Sequence, residues 1–486
     1  MRAGRVGLIV WGAVTIVTAL RAYAAASLPM TGDEAYYWEW SRHLAGGYVD
    51  HPPGVALTIA TFAWMGQTPL AVRLGFVLCG IGSTLLVFAA ATRLARDARA
   101  GYAAALAVTL TPLFFVAFGT ATPDGPYLLA WSASCYCAVL ALEIGRLRWF
   151  VFLGLALGAT LMSRLFGLAV LFGVIGAVVA SERRAALWPK LLVSVALALV
   201  CWVPYLAWND THGWASFVFA IQTRHEAHAS LLRPLQLAAL CALAFSPGLF
   251  AGALAVAVRL RVALVAWTSL PLAGALFALA FREQVEVYWF YGPYLSLCIG
   301  LGVAFAMLPA QRARRWTAAA TIPAIALCAL LYGAAVAPLT MYAEVRKAGV
   351  QLHGTGPFEV FTYPALAHDL RGLTTAPDEV TMTDGYGFSS VLDFYGHIEP
   401  VVIGYDVQGR ESQRWYPSTA RPHRALFVDK AAFAARPDFV KQFSLACAHV
   451  RPGPPFVYGE RRFFTTWCDG MKADGMRILR WQGRNP

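Results

Sequence analysis

The chain alternates long apolar runs with short polar breaks. Runs long enough for a membrane-crossing helix, which needs roughly twenty apolar residues, fall at about 6–28, 69–92, 101–119, 125–143, 149–163, 165–181, 191–208, 235–258, 262–281, 290–309 and 317–338. The pattern predicts an α-helical polytopic membrane protein with about eleven transmembrane helices. The first run is too long for a signal-peptide core and is not followed by a small-residue cleavage site and a soluble domain, so it is expected to stay as the first span. Beyond residue 340 the period shortens. Runs such as EVTMT, PVVIGY and RALFVDK, separated by Gly, Pro and Asp, predict strands, and the apolar residues around Phe388–Tyr395 predict a helix between the first two. The expected organisation is a transmembrane domain over 1–339, with a first outer loop at 29–68, followed by a mixed α/β domain over 340–486 long enough to bury its own core.

Composition agrees with the pattern and changes the reading of charge. Of 486 residues, 58% are hydrophobic and only 14% charged, whereas a soluble domain is about a quarter charged. The net charge of +12 is concentrated in alternate turns: Arg2 and Arg5; Arg93, Arg96 and Arg99; Arg146 and Arg148; Arg183, Arg184 and Lys190; Arg259 and Arg261; Arg312, Arg314 and Arg315. These cations are dispersed over short turns, which argues against nucleic-acid binding and, by the positive-inside rule, places the turns in the cytoplasm. The other linkers, about 29–68, 119–125, around 164, 209–234 and 281–290, then face outside. An odd number of spans delivers 340–486 to that same side.

Every cluster suited to chemistry lies in the outer linkers. The stretch MTGDEAYYWEWSRHLAGGYVDHPPG sets Asp33 and Glu34 just beyond the first span, then Tyr36, Tyr37, Trp38 and Trp40 in an expected interfacial helix, then His51 before a double proline. An aromatic anchor with solvated acids is the competing reading, since Tyr and Trp favour the headgroup region. A second acid, Asp124, closes the short turn Thr122-Pro123-Asp124; helix capping competes there with chemistry. Arg164 falls in a segment between basic flanks that is too short for two ordinary crossings, so its turn is expected within bilayer depth. A charge there is costly and generally faces a polar cavity or an anion, with snorkelling to headgroups as the alternative. Tyr288-Trp289-Phe290-Tyr291 reads either as a girdle or as phenols beside a phosphate. The linker Asn209–Arg233, with His212, Arg224, His225, Glu226 and His228, matches no zinc spacing and reads better as a loop covering a cavity. Two of nine cysteines, Cys447 and Cys468, lie in the outer domain and are expected to pair in an oxidising compartment, unless they are unrelated buried thiols. The other seven fall in spans as small apolar fillers.

Taken together, DEAYYWEWSRHLAGGYVDHPPG, the TPD turn and the SRLFG turn resemble the motifs of the lipid-linked-sugar glycosyltransferases of the GT-C fold. They are most similar to the bacterial branch related to protein O-mannosyltransferases and lipid A aminoarabinose transferases, families 39 and 83. The resemblance spans roughly residues 1–340. It implies transfer of a sugar from a polyprenyl-phosphate carrier to a lipid, glycan or protein acceptor on the periplasmic side of the bacterial inner membrane, usually with inversion. It also implies that Asp33 is the first-motif acid, Glu34 its neighbour and Asp124 the second-motif acid. Many relatives carry Lys before the Pro-Pro; here His51 stands in its place, a group half charged near pH 6.5.

Elementary chemistry asks for the same parts. A base must take the acceptor proton, and cations or hydrogen bonds must receive the departing phosphate. Asp33 is the expected base, with Arg164, His51, Tyr288 and Tyr291 as expected phosphate partners. A divalent cation, if used, would choose the carboxylates Asp33 and Asp124; no other cofactor is implied. A polyprenyl-linked lipid or glycan flippase is the competing function, but it would show paired repeats and ionisable groups near the middle of several spans.

Overall fold

The computed structural model describes residues 2–223, 230–259, 262–347, 359–403, 408, 409, 411, 415, 422–459 and 461–479. Helices occur in the order α1 Arg2–Ser27, α2 Gly32–Arg42, α3 Gly54–Ala60, α4 Pro69–Ala95, α5 Ala98–Thr109, α6 Pro112–Gly119, α7 Asp124–Ile144, α8 Leu147–Leu161, α9 Gly167–Val179, α10 Arg184–Thr211, α11 Ala215–Val218, α12 Arg233–Ala244, α13 Pro247–Arg259, α14 Ala263–Leu279, α15 Tyr291–Ala306, α16 Ala310–Val336, α17 Pro338–Lys347, α18 Tyr363–Leu370 and α19 Tyr386–Gly396. Two more follow among the strands, α20 Pro437–Ala446 and α21 Gly475–Leu479. The chain forms two compact units: residues 1–27, 45–47 and 51–336, and residues 28–44, 48–50 and 337–486. The helix of the first loop thus groups with the C-terminal chain, a division that the order of residues alone did not suggest.

In the first unit every apolar run of the sequence is helical. Among the described residues six helices are long and apolar enough to cross a membrane, eight if each of two bent pairs is one span, and α8, α9 and α14 are shorter apolar helices. Both bends occur at proline. α5 and α6 turn by 73° before Pro112, and α12 and α13 by 115° before Pro247, because proline has no N–H to continue the ladder and its ring clashes with the preceding turn. Carbonyls at the first bend find other donors: Arg21 gives a hydrogen bond to the Thr109 carbonyl at 3.3 Å, and the Cys328 thiol gives one to Leu110 at 3.4 Å. Polar side chains join the helices inside the bundle. Trp131 Nε1 on α7 and Thr268 Oγ1 on α14 both donate to Ser296 Oγ on α15, at 2.8 and 2.9 Å. A Cβ on Gly302 would stand 2.2 Å from the Ala100 carbonyl, so α5 and α15 approach only because this residue is glycine, the small-residue contact expected between membrane helices.

The second unit contains a mixed sheet with strands β1 Glu379–Asp384, β2 Val401–Ile403, β3 Arg424–Asp429, β4 Cys447–Pro452, β5 Phe456–Tyr458 and β6 Arg461–Met471. The order is β2-β1-β3-β6-β4, with β5 on β6. β1 pairs in parallel with β2 and β3, whereas β6 runs antiparallel to β3, β4 and β5. Parallel pairing requires a crossover, and α19 supplies it between β1 and β2, where the sequence predicts a helix. The core under the sheet joins Met382, Ile403 and Phe427 to Phe439 and Phe443 of α20. Cys447 and Cys468 are bridged, with Cα atoms 5.4 Å apart, as expected, and the other seven cysteines are free.

Candidate functional site

In the first unit the Pro-Pro-Gly motif meets the Arg164 turn. The Gly54 amide donates to the Met162 carbonyl at 2.8 Å. A Cβ at Gly54 would lie 2.8 Å from that oxygen and from Ser163 Oγ, so a side chain would push the motif off the turn. His51, half-buried three residues earlier, is carried by the same contact. The turn itself links α8 to α9 and buries Arg164. Its Nη1 donates to Asp124 Oδ1, forming an ion pair, and Asp124 Oδ2 accepts from Thr122 Oγ1 at 3.3 Å. The second-motif acid and the turn arginine are therefore partners. Burial makes such a pair sensitive: removing one member strands the other in a low dielectric.

Aromatic groups flank the guanidinium. Arg164 Cζ lies 5.3 Å from the Tyr288 ring and 5.6 Å from the Phe166 ring, within cation–π range, and Trp289 packs on Phe166 at 5.6 Å. The ring of Tyr288 is thus brought to the arginine. Tyr291 is placed differently. Its hydroxyl donates to the Leu113 carbonyl at 3.0 Å and its ring stacks on Phe114, so this phenol serves the packing of α6 against α15.

In the second unit α2 carries the first acidic motif. Thr31 and Glu34 form a capping box: the Glu34 amide donates to Thr31 Oγ1 at 3.3 Å, and Glu34 Oε2 accepts from the Thr31 amide at 3.0 Å. Glu34 is buried and satisfies the open end of the helix, while Asp33 beside it is exposed. The T-x-x-E spacing in TGDE carried this signal. α2 lies along α19, whose Tyr386 hydroxyl donates to Asp33 Oδ1 at 2.9 Å. At the other end of the contact Arg42 Nη1 pairs with Asp393 Oδ2 at 2.8 Å, and Trp38 meets Phe394 edge-on at 5.1 Å. Asp50, the residue before His51, accepts from Gln408 Nε2.

Glu39, on the buried face of α2, went unnoticed in the sequence. Its Oε2 has no hydrogen-bond partner among the described residues. Burial foremost, then the carboxylate of Asp393, pushes its carboxyl up to about 8, with Ser390 and Arg42 opposing and Glu399 adding slightly. The folded protein therefore holds a proton that an unfolded chain loses above its ordinary value of 4.5. Stability from this group is full below pH 4.5 and falls as pH rises toward 8, by on the order of 5 kcal/mol. Glu39→Gln is expected to remove most of this alkaline loss. Thermal unfolding in detergent at pH 6 and pH 9 checks it: equal pH dependence in the two proteins would contradict the assignment.

Among the described residues no three His, Cys, Asp or Glu side chains stand together as a metal ion would require. Asp33 belongs to one compact unit and Asp124 to the other. Of the linker 209–233, His212 Nδ1 lies 2.7 Å from the Trp208 carbonyl of its own helix, and Arg224, His225, Glu226 and His228 lie outside the described residues.

Comparison with known proteins defines the class. Residues 50–208, which contain His51, Asp124 and Arg164, match the family model described as dolichyl-phosphate-mannose-protein mannosyltransferase. Two crystal structures of ArnT from Cupriavidus metallidurans share the fold of almost the whole chain. The apo form aligns with TM-score 0.62 at 18% identity, over 95% of this chain and 98% of that one. The form bound to undecaprenyl phosphate aligns with TM-score 0.63 at 18% identity, over 94% and 98%. No curated protein matches the chain in sequence. The chain is thus a multi-pass membrane protein of the GT-C fold with a C-terminal mixed sheet domain. The resemblance carried by its motifs, to glycosyltransferases related to the protein mannosyltransferases and the lipid A aminoarabinose transferases, is borne out.

Proposed function

We propose that this protein transfers a sugar from a polyprenyl-phosphate carrier to an envelope acceptor, whether lipid A, another glycan, a lipid or a protein, on the periplasmic side of a bacterial inner membrane. The observation that supports this most is the buried Asp124–Arg164 pair, faced by Tyr288 at the turn where Pro-Pro-Gly docks, in a fold shared with a protein crystallised with undecaprenyl phosphate. Asp33 acts as the base. It takes the proton of the acceptor hydroxyl, the hydroxyl oxygen bonds to the anomeric carbon, and the bond from that carbon to the phosphate oxygen breaks with inversion. The leaving polyprenyl phosphate keeps the electron pair. Arg164, positioned by Asp124, receives its charge, with Tyr288 and His51 assisting; fixed donors aimed at developing charge are the strongest electrostatic aid a site can offer.

The test is a comparison of envelope lipids and glycans, by mass spectrometry, from cells with and without the gene. One species should lose the mass of a single sugar, which would identify donor and acceptor together. An unchanged envelope with altered transbilayer distribution of a polyprenyl-linked lipid would instead support a flippase.

A further inference from the structure

We propose that Tyr386, in the C-terminal part of the chain, is a positioning residue that sets the carboxylate of Asp33 for proton abstraction. The inference rests on the reading of Asp33 as the base. Its geometry is independent of that reading. Gly385 precedes Tyr386 at φ +97°, a conformation open to glycine and strained for other residues, and this corner turns the chain from the end of β1 into α19. One residue on, Gly387 faces Gly32. A Cβ on either would stand 3.1 Å from the other's Cα, so the two backbones meet with nothing between them. That approach lays the Tyr386 ring on Tyr36, centroids 4.5 Å apart, one turn along α2 from Asp33, and directs its hydroxyl to Asp33 Oδ1 at 2.9 Å.

Asp33 needs such a partner. It is exposed on the first turn of its helix, where an aspartate side chain samples several rotamers, and misplacement of a reacting group by about 1 Å can cost 10²-fold in rate. A phenol donating to Oδ1 holds the carboxylate in one orientation for the acceptor proton. The domain after the last span thereby becomes part of the catalytic apparatus.

The test uses the full chain in liposomes. Undecaprenyl-phosphate-linked hexose and aminopentose serve as donors and total envelope lipid as acceptor, with release of undecaprenyl phosphate as readout. Tyr386→Phe keeps the ring on Tyr36 and removes only the hydroxyl. Its kcat should fall roughly 10- to 100-fold, with donor KM and thermal stability unchanged, a split that a purely structural role would not give. In an Asp33→Asn background the same change should have no further effect on residual turnover. Tyr386→Phe with wild-type kcat, or with kcat lowered only in step with stability, overturns the inference while an inactive Asp33→Asn leaves the base in place. Normal turnover of Asp33→Asn instead removes the base, and the role of Tyr386 with it.

Discussion

Asp33→Asn is expected to lower sugar transfer by roughly 10²–10⁴-fold, the range that general-base catalysis contributes, while undecaprenyl phosphate binds as before. The amide keeps the size of the side chain and still accepts a hydrogen bond from Tyr386, so α2 and its cap at Thr31 and Glu34 should be undisturbed. What is lost is an oxygen able to take a proton. Turnover of purified variant in liposomes, beside equilibrium binding of the polyprenyl phosphate, separates the two. Glu34→Gln serves as a comparison. Because Glu34 Oε2 is engaged by Thr31, this change should cost stability before chemistry, and a larger loss of turnover than for Asp33→Asn would exchange the roles of the two acids.

The second large effect is expected at the buried ion pair. Arg164→Ala should weaken binding of undecaprenyl phosphate by roughly 10- to 100-fold or more, the value of a charge-assisted hydrogen bond. Arg164→Lys keeps the charge but loses the planar fork and should fall in between. Arg164→Ala also leaves Asp124 buried without its cation, which costs about 3–5 kcal/mol when a buried pair is broken from one side. Loss of binding alone is therefore ambiguous. The double variant Asp124→Leu with Arg164→Met resolves it, since replacing both members by apolar groups of similar volume is often neutral for stability. That protein should melt near the wild type yet bind the phosphate poorly. Wild-type affinity in the double variant would assign the pair to packing alone.

Most of the membrane domain was legible because its signal is local. A run of twenty apolar residues satisfies its own backbone only as a helix, and each expected span is helical. The bends at Pro112 and Pro247 were also written in the chain, as prolines inside apolar runs, but the angle depends on which neighbours receive the freed carbonyls. Arg21 is one such neighbour, distant in sequence from Thr109. The site was legible in its residue types and less so in their partners. Asp124 and Arg164 were singled out separately, and their pairing required the fold. The competing uses of Glu34 and Tyr291 followed different rules: the capping box was readable from TGDE, whereas the bond from Tyr291 to Leu113 joins positions 178 residues apart. Glu39 gave no signal, because nothing in WEWSR tells a buried carboxyl from a solvated one until Asp393 is placed beside it.

The bond from Tyr386 to Asp33 spans 353 positions, and translation makes that distance a matter of time. Helix α2 leaves the ribosome among the first elements, well before β1 and α19 exist to receive it. The bond from Tyr386 to Asp33 cannot form until the tail has folded. A nascent chain would thus have its apolar helices nearly complete before that bond exists. On the proposed role of Asp33, transfer would begin only with the finished polypeptide. Any exchange of tails between related chains would likewise have to move residues 28–44 and 48–50 together with 337–486, three separate stretches of gene that form one compact unit.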